Sequence, residues 1–104
     1  MVYVTVTHNC ADDELTVEFK GHAGYAATGE DIVCAGISAL ALLCTNVCKE
    51  LNGETEMEDG HAVFVFKEEA QAERFSAVLL ETLYYMAIRY SDYLNVEEVY
   101  NESE

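Results

Sequence analysis

Two residue types capable of joint chemistry stand twelve positions apart in the stretch GHAGYAATGEDIVCAG, residues 21–36: His22 and Cys34. An imidazole beside a thiol can take its proton, leave a nucleophilic thiolate and later return the proton to a leaving amine. On spacing alone a plainer reading stays open, with His22 a loop residue and Cys34 part of a helix core. Small residues fill the interval: Gly21, Ala23, Gly24 and Gly29 surround one bulky side chain, Tyr25. Twelve positions are enough for the chain to double back and set His22 beside Cys34.

The elements that must position these residues follow from hydrophobic period and turn chemistry. Val2, Val4 and Val6 alternate with Tyr3, Thr5 and Thr7, and Leu15, Val17 and Phe19 alternate with Thr16 and Glu18. Two strands are predicted, joined by a polar hairpin connection over 9–14. Asp31 is a suitable N-cap for a helix running to about residue 51, with Asn52-Gly53 as its stop. This helix is apolar nearly all round, with Val33, Ile37, Leu40 and Val47 on one side and Ala39 and Leu43 on another, which predicts burial between layers. Glu58-Asp59-Gly60 is a turn between strands over 54–57 and 62–66. A helix over about 68–90 and a last strand over 96–100 complete the order β-β-α-β-β-α-β. That order predicts an α+β fold with a mostly antiparallel sheet, one domain over 1–104, and a frayed acidic tail at 101–104.

With Asp31 as N-cap, Cys34 falls in the first helical turn. The helix dipole there is worth about 0.3–1 kcal/mol, less than the 1.36 kcal/mol or so of one pKa unit. Glu30 and Asp31 work against a thiolate. The helix end alone therefore does not activate Cys34, and an imidazole must. Asp31 has two jobs open to it, capping the helix and orienting the His22 ring. Ser38, one turn beyond Cys34 on the same face, either donates a hydrogen bond near the thiol or is a satisfied helix hydroxyl. Backbone N–H groups of the first turn are candidates for an oxyanion hole. His8 and His61 sit beside turn-like segments and receive no role.

Composition narrows the function further. The chain has 104 residues, 51% of them hydrophobic, an apolar share generous enough to suggest a homodimer interface. No continuous apolar run reaches the roughly 18–20 residues of a membrane span, and no signal-peptide pattern opens the chain, so a cytoplasmic location is expected. Cys10, Cys34, Cys44 and Cys48 then read as free thiols. Cys44 and Cys48 could supply two metal ligands from one helix face, but no second ligand pair accompanies them. They read as small core residues, and no metal is expected.

Twenty acidic against five basic residues leave a formal charge of −15. Such a chain lacks the Lys and Arg that hold phosphates, and direct nucleic-acid binding is excluded. Gly21-His22-Ala23-Gly24 matches a KH-type G-x-x-G only in letters, since no basic residue accompanies it. Gly24 and Gly29 have the spacing of a P-loop, but Glu30 and Asp31 stand where Lys and Ser/Thr belong. The charge either draws basic partners or serves solubility alone.

Gly-His-Ala-Gly-Tyr-Ala at 21–26, followed by Gly29-Glu30-Asp31-Ile32-Val33-Cys34-Ala35-Gly36-Ile37-Ser38, closely resembles the motif block of the ribosomal-processing cysteine protease family. Beyond that block the similarity is one of element order along the whole chain. The resemblance implies a catalytic dyad of His22 and Cys34, with supporting roles for Asp31 and Ser38. It implies a cofactor-free endopeptidase and a basic ribosomal protein precursor as substrate, trimmed of an N-terminal extension. It also implies a homodimer. Gly36 stands where alanine is at least as common, which loosens the helix by up to about 1 kcal/mol. Two readings from other classes stand beside it: a non-catalytic acidic module binding a basic ribosomal protein, and a thiol hydrolase or acyl transferase acting on a non-peptide substrate.

Overall fold

A computed structural model describes the backbone of residues 1–21, 28–58 and 60–101 and the side chains of 1–21, 32–58 and 60–101. The alternating segments form strands β1 (Val2–Asn9) and β2 (Glu14–Lys20), followed by helix α1 (Thr28–Glu50) and strands β3 (Glu54–Glu58) and β4 (His61–Lys67). Helix α2 (Ala70–Arg89) and strand β5 (Leu94–Asn101) complete the order. The predicted order and α+β class are those observed. Boundaries move by a few residues, and Asn101, assigned to the tail, is the last residue of β5 and pairs with Asn9. The remaining tail residues, 102–104, lie outside the described residues.

One five-stranded sheet runs β3-β4-β2-β1-β5. Three of its four pairings are antiparallel, and β1·β5 is parallel. β2 and β3 are therefore parallel strands bridged by α1, and β4 and β5 parallel strands bridged by α2. Crossovers of this kind need a helix-length connection and lay it on a sheet face. Val4, Val6, Leu15, Val17, Phe64 and Phe66 point to the covered face and are buried. The intervening Thr5, Thr16 and Glu18 point away.

The turn after α1 shows why its residues were legible. At the end of α1, Asn52 takes φ 56° and Gly53 N–H returns to the Cys48 carbonyl at 2.8 Å. A Cβ on Gly53 would stand 2.5 Å from the Val65 carbonyl oxygen, so only glycine lets β4 approach.

Helix α1 corrects the sequence reading twice. It begins at Thr28, so Asp31 lies inside the first turn instead of capping it, and Gly29, assigned to the loop, is helical. Nor is it buried all round. Val33, Ile37, Ala41, Cys44 and Cys48 form one buried stripe, while Ile32, Leu42 and Leu43 are 50%, 62% and 46% exposed on the outer side. The reason is topological: both helices lie on one sheet face, so α1 has a core on one side only. By length and mean hydropathy (1.8), Ile32–Glu50 is apolar enough to cross a membrane, although it holds no unbroken apolar run of that length.

His8 is the one inward-facing histidine of the sheet, 7% exposed and stacked on Tyr100 at 4.3 Å. Its Nδ1 donates to Glu68 at 3.0 Å and its Nε2 to Glu98 at 2.8 Å. Only an imidazolium can donate from both nitrogens. Burial pulls its pKa down, and the hydrogen bonds and charges of Glu68 and Glu98 more than reverse this, leaving it raised. A raised pKa stabilises fully below the unfolded value of about 6.5 and is lost as pH climbs through the folded value. His8→Phe, which keeps a ring against Tyr100, is expected to lower stability by about 1–2 kcal/mol at pH 6. That deficit should shrink as pH rises. Equal wild-type-to-variant gaps in urea midpoint at pH 6 and pH 9 would show that the charge contributes nothing.

Candidate active site

Cys34 is the seventh residue of α1 and is exposed on the flank beside the buried stripe. Ser38, also exposed, follows one turn later on the same flank. Both line a cleft of about 240 Å³ at the end of the sheet where β1 begins, β2 ends and β4 starts. Val2, Phe19, Ile37 and Ala62 form its apolar floor, and Gly21, Glu58, Gly60 and His61 its rim.

The helix start being at Thr28 changes the electrostatic argument. The unpaired N–H groups of a helix are its first four, and the dipole effect is confined to the first turn. Cys34 sits nearly two turns in, on the order of 9 Å along the axis from the helix start at ~1.5 Å per residue. Dipole and first-turn donors therefore do less for this thiol than the sequence suggested, and the demand for a neighbouring imidazole grows.

Gly21 ties the strand end to the cleft. Its φ is +104°, its N–H donates to the Gly60 carbonyl at 2.9 Å, and a Cβ there would lie 2.5 Å from the Met1 carbonyl oxygen. It is a structural hinge of β2 as well as a lining residue. His22, Ala23, Gly24 and Tyr25 lie outside the described residues, as does the side chain of Asp31. Gly21 and Cys34, the described residues on either side of that segment, both line the cleft.

One residue of the cleft had no role in the sequence reading. His61 pairs across the sheet with Lys20, and its Nε2 donates to Glu18 at 2.6 Å. No local signal announces this, because it depends on the β2·β4 register. Away from the cleft, Cys44 and Cys48 are buried in the core. Burial and the neighbouring Cys48 push the Cys44 thiol up to about 12, and burial raises Cys48 too. Among the described residues no cluster of three His, Cys, Asp or Glu side chains could hold a metal ion.

An exposed thiol on a helix flank, at the mouth of a cleft with an apolar floor, is an arrangement open to thiol hydrolases. Residues 1–95 match the family model of cysteine protease Prp, so the chain belongs to that family and is a cysteine protease. It is 30% identical over 88 residues to the ribosomal processing cysteine protease Prp of Bacillus subtilis, covering 78% of this chain and 79% of that protein. Among solved structures it is similar to the essential ribosomal processing protease Prp from S. aureus in complex with a covalently linked product peptide. There the TM-score is 0.75 at 25% identity, over 94% of this chain and 99% of the other. The fold also matches SMU.848 from Streptococcus mutans, with TM-score 0.72 at 20% identity over 96% and 95% of the two chains.

Proposed function

We propose that this cysteine protease is a cytoplasmic endopeptidase that trims the N-terminal extension of a basic ribosomal protein precursor, with Cys34 as nucleophile and His22 as its base. The observation that carries this reading is the cleft that joins exposed Cys34 to Gly21, the residue preceding His22. Cys34 Sγ attacks the scissile carbonyl carbon once the imidazole has taken its proton. The tetrahedral intermediate collapses to a thioester as the imidazolium protonates the departing amine. A water molecule, deprotonated by the imidazole, then releases the new carboxylate and restores the thiol. In the S. aureus relative a product peptide is covalently linked to the protease, the connectivity that such a thiol attack would leave.

Asp31, relieved of the cap, is free to orient His22, and Ser38 stands one turn from the thiol to support the developing charge. No step calls on a cofactor. The loop residues Gly21, Ala23, Gly24 and Tyr25 would contact the extended substrate. The relatives are named for ribosomal processing, and a chain of charge −15 suits a lysine-rich substrate while repelling nucleic acid. A homodimer is part of the reading. Ile32, Leu42 and Leu43 leave an exposed apolar patch on α1 that a second copy can cover.

His61 shares the cleft, so the base must be tested against it. His22→Ala is expected to cut precursor cleavage by about 10²–10⁴-fold, the usual span of general-base loss, while His61→Ala stays within a few-fold of wild type. Mass spectrometry of the products reads both. The reverse result would move the role to His61.

A further inference from the structure

A second concave surface lies between α2 and β5, lined by neither Cys34 nor any other residue of its cleft. Two adjoining depressions of about 590 and 340 Å³ share Ala77, Leu80 and Glu98 and so form one groove. It runs along α2 from Glu73 to Ile88, fifteen residues, or about 22 Å at ~1.5 Å per residue. An extended peptide covers that length with about six or seven residues. Tyr84, Tyr85 and Ile88 supply apolar surface, and they are 41%, 72% and 80% exposed. The polar lining is one-sided: Glu68, Glu73, Glu81 and Glu98 face the groove, with no Lys or Arg among its lining residues. The only cationic group there is the His8 imidazolium, which engages one oxygen, Oε2, on each of Glu68 and Glu98.

We propose that this groove is a docking site for a lysine- and arginine-rich extended segment of a protein partner. Four carboxylates against one imidazolium leave the groove anionic, and the aliphatic stems of Lys and Arg can lie on Tyr84, Tyr85 and Ile88 while their heads reach Glu81 and Glu98. Among the described residues β5 is an edge strand paired with β1, so its outer edge over 94–100 can take an added strand. A second copy of the chain is a poor occupant, because it would bring the same carboxylates to face these. The groove also leads toward the reaction. The α2 C-terminus meets the start of β5, where the Leu94 N–H bonds the Tyr90 carbonyl at 3.0 Å. Leu94 pairs with Val2, and Val2 forms part of the Cys34 cleft floor. Given the protease reading, the docked segment is a part of the ribosomal protein remote from the scissile bond.

The test uses Glu81→Lys combined with Ile88→Ser, two exposed positions that leave the His8 cluster intact, with Glu81→Gln alone as the milder change. A dye-labelled short peptide alternating lysine and leucine should bind the double variant roughly tenfold more weakly than wild type, and its glutamate counterpart should bind neither. For the whole precursor, kcat/KM should fall by a similar factor with kcat unchanged, whereas a short peptide carrying only the cleavage site should be cut as before. Unchanged affinity for the lysine peptide would overturn the proposal. So would a wild-type dimer that the double variant loses in sedimentation equilibrium, since a second copy would then occupy the groove. If wild type cuts no ribosomal precursor, the substrate reading fails by itself, and the peptide titration still decides the groove.

Discussion

With Cys34 as the proposed nucleophile, Cys34→Ala is expected to leave the precursor uncut while its binding stays within about twofold of wild type. The substitution removes only the atom that forms the new bond, whereas affinity comes from contacts along the peptide. Loss of a nucleophile typically lowers kcat by at least about a thousandfold. Cys34 is exposed and outside the buried stripe of α1, so no cavity opens and the fold should change by less than about 0.5 kcal/mol. A mixture of precursor and variant should therefore show a stable complex by gel filtration and an unchanged precursor mass. Cleavage above a few per cent of wild type would mean that another group attacks the bond.

Alkylation of the native protein by iodoacetamide should separate the thiols by orders of magnitude. Cys44 is fully buried, and at pH 8 a thiol pushed up to about 12 holds roughly 10⁻⁴ of its population as thiolate, against about a quarter for an ordinary thiol near 8.5. Cys48, 1% exposed, should be as slow, because both must wait for the core to open. Cys34 and Cys10 are exposed, and Cys10 serves as the internal reference. The proposed dyad would put an imidazole beside Cys34 and make it the faster of the two, and His22→Ala should close that gap. Peptide mapping after a brief exposure reads all four, and uniform labelling would remove the dyad from the account.

What the sequence shows of this fold is its local grammar. Val2, Val4 and Val6 carry a period of two, Asn52-Gly53 marks a helix stop, and Asp59-Gly60 marks a hairpin. All three are contained within a few residues. The start of α1 was misplaced because Asp31 has the chemistry of a cap, while helix formation reached back to Thr28 through a segment with few other signals. The outer face of α1 was misread for a different reason. Leu42 and Leu43 look like core by composition, and only the placement of both helices on one side of the sheet leaves them uncovered. The site was half legible. His22 and Cys34 lie in one contiguous motif, but His61 reaches the cleft through strand pairing between residues 18–20 and 61–63, which no window of sequence displays.

The parallel pairing of β1 with β5 has a bearing on how the chain comes to be folded during synthesis. Val2 and Leu94 are register partners, so β1 leaves the ribosome well before the strand it pairs with. At about 5–20 residues per second, that interval is on the order of 5–20 s. Throughout it β1 can close its hairpin with β2, yet its other edge stays open and the inward His8 lacks the Glu98 carboxylate that comes with β5. Nascent chains are thus most prone to pair wrongly just before β5 emerges, when two helices and four strands of this sheet exist but it still has an unguarded flank.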